Sequence, residues 1–165
     1  MKAYCGTKLL LAKPMTLGEY NTMRGWILPV EENGADEGYL VEYMDGGKAN
    51  VKGFTGYVSW SPKDVFEKFY QPLNALSFGH ALYVLKDGKR VTRAGWNGKG
   101  MSLILVNGTK DAKLTEGSPY AIATGGNIVT INPHIDMMTA TGEMQPGWLA
   151  SQTDMLANDW CVVEG

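Results

Sequence analysis

The chain has 165 residues, 44% of them hydrophobic and 19% charged, with a formal net charge of −2. That length supports one medium domain or two small ones, each with a modest core, and two is the reading the pattern of elements favours. A charge this near neutrality gives no general field to draw the chain onto duplex nucleic acid or an anionic membrane, which argues against both as partners. No run approaches the roughly 18 consecutive apolar residues that span a bilayer. The apolar stretch in the opening MKAYCGTKLLLAKPM is too short for a signal peptide, so a cytosolic protein is expected. Cys5 and Cys161 have no CxxC spacing. Neither a disulfide framework nor a cysteine zinc site is indicated, and both thiols are expected to be reduced and buried.

The expected fold class is α+β, built as two small modules, each with short helices packed on a small antiparallel sheet. The first module, residues 1–72, opens with an expected strand around Tyr4 to Leu11. Thr16-Leu17-Gly18-Glu19 has capping-box spacing for a helix that Gly25 would end. Gly38 to Met44 and Gly56 to Trp60 are β-type runs that pair naturally as a hairpin. Ser61-Pro62-Lys63-Asp64 predicts a helix start with Ser61 as cap. Val65, Phe66, Phe69 and Tyr70 then fall at helical spacing, as an aromatic face suited to a core or an interface.

The second module, residues 73–165, begins with Ser77 capping a helix striped by Phe78, Ala81, Leu82 and Leu85 and stopped at Asp87-Gly88. Arg90 to Ala94 reads as extended. Gly95-Trp96-Asn97-Gly98-Lys99-Gly100 reads as a loop, and Met101 to Val106 as an apolar strand. A polar stretch from Asn107 to Gly126 precedes expected strands at Ile128 to Ile131 and Ile135 to Thr139. Ser151 or Thr153 is placed to cap a short helix ahead of a final strand, Trp160 to Val163.

Two loops carry chemistry suited to a nucleotide. In the first, Trp96 offers a flat surface for a base, Asn97 a donor and an acceptor for its edge, and the glycines close approach of backbone amides to a phosphate. In the second, Trp148 stands just before the polar run Ser151-Gln152-Thr153-Asp154 at a helix start. Five of the seven Lys and Arg residues after Pro72 (Lys86, Lys89, Arg90, Arg93, Lys99) lie between positions 86 and 99, a local supply of charge for a small phosphorylated ligand. Arg90 and Arg93 are the candidate phosphate partners. On a regular strand they face opposite ways, so one at most reaches a given pocket. Each feature has a plainer structural reading as well: a Trp packed over a sheet end, an ordinary helix cap, a solvated basic face.

Catalytic signals are sparse. Among His80, His134 and the carboxylates, His134 and Asp136 form an i, i+2 pair on one strand face, one ligand short of a minimal metal site. No GxSxG, HExxH, Walker-type loop or dinucleotide glycine motif is present, and no cofactor or metal is expected.

From Leu76 onward the sequence resembles the Thoeris anti-defence two family of phage proteins. The resemblance rests on Ser77-Phe78-Gly79-His80-Ala81-Leu82, on Gly88 through Met101, and on Pro146 through Leu156 with Asp159-Trp160 beyond. It implies a compact α+β subunit, assembled as a homotetramer in the cytoplasm of an infected bacterial host. Such a subunit holds cyclic ADP-ribose isomers made by bacterial TIR-domain enzymes without cleaving them, and cyclic dinucleotides at a separate site. By motif matching, Phe78, Trp96 and Trp148 would be the aromatic contacts, and Asn97, Ser151, Gln152, Thr153 and Asp154 the polar ones. The stretch from Asn107 to Pro133 is longer than expected between the family's central strands, and the first module lies outside the family's minimal domain. Two other readings compete: a hydrolase of the same nucleotides using His134, Asp136 and a metal, and a viral assembly protein engaging a partner through the first module's aromatic face.

Overall fold

Residues 1–163 are described by a computed structural model, which separates into two units, Met1–Gln71 and the chain from Pro72 onward. Each unit is α+β, with short helices beside antiparallel strands. Among the described residues no helix is long and apolar enough to cross a membrane.

The first unit is a three-stranded antiparallel sheet, ordered β1 (Leu10–Pro14), β2 (Gly38–Tyr43), β3 (Tyr57–Pro62), with helices α1 (Leu17–Arg24) and α2 (Lys63–Phe69). The capping box forms as its spacing predicts. The Thr16 hydroxyl accepts from the Glu19 amide at 3.3 Å, and the Glu19 carboxylate accepts from the Thr16 amide at 2.7 Å. Gly25, at φ 68°, closes α1 in the left-handed conformation that favours glycine. Tyr20, Leu40 and Val58 form the core, with Met15, Met23, Val51, Phe54 and Trp60 packed around it. The long β2–β3 connection is tied down by Asn50, whose amide donates to the Val58 carbonyl and accepts from the Val58 amide at 2.8 and 2.7 Å. A side chain thereby supplies the pairing a neighbouring strand would make.

Four expectations for this unit need correction. The first strand is Leu10–Pro14, not Tyr4 to Leu11. As an edge strand it accepts a terminal proline, whose missing N–H costs nothing there. Ser61 does not cap α2: it pairs with Tyr39 inside β3, and Pro62, without a side-chain hydrogen bond, holds the cap position. The aromatic face divides, because α2 ends at Phe69. Phe66 is buried, stacked between Tyr39 at 4.2 Å and Tyr70 at 4.9 Å, while Val65 and Phe69 are exposed. Cys5 is an exposed free thiol, and Cys161 is half-buried.

The second unit is built on a five-stranded antiparallel sheet, ordered β10-β4-β5-β8-β9. Its strands are β4 (Arg90–Arg93), β5 (Ser102–Val106), β8 (His134–Met138), β9 (Met144–Gln145) and β10 (Trp160–Val163). Helix α3 (Phe78–Lys86) packs across β10, β4 and β5. Ser77 caps it, and Ala81, Val84 and Leu85 are its buried residues. Val91 pairs with Leu103, and both are fully buried with Leu76 and Trp160. Burying side chains of this size contributes about 1.5–3 kcal/mol each.

Between β5 and β8 the chain leaves the main sheet. It forms β6 (Thr109–Lys113), α4 (Pro119–Thr124) and β7 (Ile128–Ile131), with β6 and β7 paired as a separate two-stranded sheet. The polar stretch after Asn107 thus holds a strand and a helix that its Gly- and Thr-rich composition hides. Ser118 caps α4, with Pro119 in the first turn.

Candidate functional site

Three stretches of the chain, around Phe78, around Trp96 and from Trp148 to Trp160, meet at one end of α3. Phe78 opens that helix, Trp96 follows β4, Trp148 precedes the four-residue helix α5 (Gln152–Met155), Asp154 lies within α5, and Trp160 begins β10. Trp160 is completely buried and acts as the hub. Its ring lies 5.5 Å from Phe78, 5.4 Å from Trp96 and 6.1 Å from Trp148, centroid to centroid. Trp148 also meets Phe78 and Trp96 edge to face, each at 6.3 Å. These tilted arrangements suit the ring quadrupoles. Phe78, Trp96 and Trp148 are half-buried, so each is held by Trp160 while part of its surface faces out.

Beneath the rings runs an ionic network. Arg93 donates from Nε to Asp159 and from Nη1 to Asp154, both at 2.8 Å. The same Asp154 oxygen accepts from the Trp96 indole N–H at 3.1 Å. Its other oxygen accepts from the Ser151 hydroxyl at 2.7 Å and the Ser151 amide at 3.2 Å, completing a capping box on α5. Burial alone would raise the Asp154 pKa, but the bonds from Ser151, Arg93 and Trp96 outweigh it and bring the pKa down to about 2. Asp159 is also lowered, chiefly by Arg93, with help from the Gly95 amide at 2.7 Å. That contact requires glycine: a Cβ on Gly95 would stand 2.8 Å from the Asp159 carboxylate.

The candidate residues therefore divide by what they already do. Phe78, Trp96, Trp148, Ser151 and Asp154 converge, as do Gln152 and Thr153 by their place on α5. Arg93 is committed to two carboxylates, and Asp154 and Ser151 to the network and cap. Asn97, Gln152 and Thr153 are exposed, and among the described residues their side chains make no hydrogen bond. Arg90 lies three residues from Arg93, across from Val163 and away from the network. Leu149 and Leu156 form an exposed apolar margin next to the polar run. Trp160 and Asp159 were missed as site residues because a strand-opening Trp reads as core. Their signal was the adjacency of an acid to a Trp at the end of the third motif.

The histidines are placed elsewhere. His80 Nδ1 lies 2.8 Å from the Ser77 hydroxyl. His134 Nδ1 contacts the Asn132 carbonyl at 2.8 Å, and its Nε2 is 3.5 Å from Asp136, which also accepts from the Gly147 amide. Among the described residues no group of three or more His, Cys, Asp or Glu gathers around one point.

A small α+β unit whose aromatic rings converge over a partly buried ion-pair network is the class of domain defined here. Residues 76–163 match the model of the Thoeris anti-defense 2-like domain family, and the chain belongs to that family. It is also 41% identical, over 91 residues, to the protein named Thoeris anti-defense 2 of Bacillus phage SP01, a match covering 53% of this chain and 94% of that relative. All ten candidate residues lie within the matched region, and the first unit lies outside it.

Proposed function

We propose that the second unit captures small phosphorylated nucleotides of the cyclic ADP-ribose type and holds them intact, so that a phage protein in the host cytoplasm removes the signal of a Thoeris response. The observation that carries this reading is the convergence of Phe78, Trp96 and Trp148, from three distant segments, on one buried Trp beside the unengaged amide and hydroxyl groups of α5. Family membership supports the anti-defence role. Base stacking on an aromatic ring is worth about 1–3 kcal/mol. Capture by stoichiometry needs nanomolar affinity, about −12 kcal/mol, so the polar groups and a phosphate partner must supply the rest. Arg93 is committed to Asp154 and Asp159, and Arg90 lies away from the rings, so neither arginine is a phosphate partner beside the rings of its own copy. Arg93 serves by fixing Asp154 and through it the Trp96 ring. Cyclic dinucleotides are a second ligand class.

Holding rather than cleaving is consistent with the chemistry near the rings. Asp154 and Asp159 are bound to Arg93 and kept ionised, which suits neither as a proton donor near neutral pH. Because the rings sit at the surface of a small unit with apolar Leu149 and Leu156 beside them, the pocket is completed by another copy in a homo-oligomer, a tetramer by family resemblance. The test is calorimetric titration of the full chain with cyclic ADP-ribose isomers and cyclic dinucleotides, then heat release and chromatography. Tight binding with intact recovery supports capture. Recovery of a cleaved product would transfer the assignment to a hydrolase, and absence of binding to a partner-binding role.

A further inference from the structure

The sequence contains three Asn-Gly pairs, Asn33-Gly34, Asn97-Gly98 and Asn107-Gly108. In such a pair the glycine amide nitrogen can reach the asparagine carboxamide with no Cβ in the way. Two of the pairs are held still. The Asn33 carboxamide oxygen accepts from the Ala35 amide at 3.1 Å, and the Asn33 carbonyl accepts from the Asp36 amide at 3.0 Å. Asn107-Gly108 is a two-residue link between strand-paired neighbours, with Val106 opposite His134 and Thr109 opposite Ile131. Gly108 also lies so close to the backbone of Ile131 to Pro133 that a Cβ on it would overlap the Ile131 carbonyl oxygen. Nothing of this kind restrains Asn97-Gly98. From Asn97 to Met101 no backbone group hydrogen-bonds to another, Asn97 is exposed, and its carboxamide has no hydrogen-bond partner among the described residues. The atoms nearest to a Cβ built on Gly98 belong to the side chains of Met101 and Ala140, both closer than 3.0 Å. Packing therefore excludes the larger residue that would shield the asparagine.

We propose that Asn97-Gly98 is a site of spontaneous deamidation, through which the ring platform loses its hold on phosphorylated ligands with time. The Gly98 amide nitrogen gives its proton to a solvent base and bonds to the side-chain carbonyl carbon of Asn97. The bond from that carbon to the carboxamide nitrogen breaks, and the nitrogen takes up a proton and leaves as ammonia. Water then opens the succinimide ring at either of its carbonyls, which leaves an aspartate at position 97 or an isoaspartyl linkage with an extra methylene in the backbone. Water is the co-reactant, and nothing is oxidised or reduced. The effect on binding rests on the proposed function, whereas the reaction itself does not. Next to Trp96, a group that both donates and accepts becomes an acceptor alone, and it carries a negative charge that repels a phosphate.

Ageing the folded full chain at mildly alkaline pH tests this, with samples digested in acid and read by peptide mass spectrometry. The expected result is exchange of NH2 for OH at Asn97 ahead of Asn33 and Asn107, at a rate that rises with pH because the attacking nitrogen must lose its proton. An intact Asn97, or earlier change at Asn33 or Asn107, would overturn the site. Titration with a cyclic ADP-ribose isomer reads the consequence. The aged protein and Asn97→Asp should each bind about tenfold more weakly than fresh wild type, and Asn97→Asp more weakly than Asn97→Ala, which loses the amide without gaining a charge. Equal affinity of Asn97→Asp and fresh wild type would overturn the loss of hold. Failure of fresh wild type to bind would instead overturn the proposed function, and the masses would still decide whether Asn97 deamidates.

Discussion

Each unit holds a group of aromatic rings, and the two groups are built for different ends. In the first, Tyr39, Phe66 and Tyr70 stack nearly parallel between β2 and the helix that follows β3, and the Tyr39 hydroxyl donates to Glu67 on that same helix. The contacts of Tyr39 tie the helix to the sheet, and the Phe66–Tyr70 stack closes the end of the helix itself. In the second, Trp96 and Trp148 meet Trp160 edge-on and Phe78 is tilted against it, and a partly buried arginine with two carboxylates is spent on positioning Trp96 and its loop. A fold does not need that expense: buried ion pairs are weak sources of stability, because desolvation offsets most of the attraction. What marks a site is not aromatic content but polar machinery that fixes partly exposed rings.

The largest effect is expected at the hub. Trp160→Ala removes the ring on which the other three rest, and should cost about 3–5 kcal/mol in denaturant unfolding while abolishing nucleotide capture. Phe66→Ala should cost about 3 kcal/mol yet leave nucleotide affinity unchanged by titration. An equal loss of affinity would erase the distinction between the two groups. Asp154→Asn comes next, at about 1–2 kcal/mol near neutral pH. The Asp154 pKa is depressed to about 2, so its stabilisation is complete above the ordinary value near 4 and fades as pH falls toward 2. Thermal melts of wild type should therefore fall in midpoint from pH 4 to pH 2, and those of the variant should fall less. Smallest of all, Gln152→Ala and Asn97→Ala should stay within about 0.5 kcal/mol in stability and weaken nucleotide binding severalfold, a separation that a purely structural role would not produce.

Much of this was legible in the chain because local rules act locally. The capping boxes at Thr16–Glu19 and Ser151–Asp154, and the Ser77 cap, are written in adjacent residues and form as spaced. The rings that converge were identifiable singly, as a Trp among glycines and a Trp before a polar run. Their common hub was not, since Trp160 contacts them through the fold and reads as an ordinary strand residue. Nor was the commitment of Arg93, which two acids more than sixty positions away in sequence determine. β6 was hidden because Thr109-Lys110-Asp111-Ala112-Lys113 has little β-propensity. Ser61 misled because a sheet ladder claimed a residue that local chemistry assigns to a cap.

The central claim, that the ring cluster of the second unit is the ligand platform, is tested most directly by titrating a cyclic ADP-ribose isomer into the Trp96→Ala, Trp148→Ala and Trp26→Ala proteins. Trp26 is an exposed ring of the first unit, packed edge-on to Tyr20 and covered by Arg24. The expected result is a loss of about tenfold to hundredfold in affinity for each of the first two, in line with one stacking contact, and no change for Trp26→Ala. Unchanged affinity in both Trp96→Ala and Trp148→Ala would contradict the account.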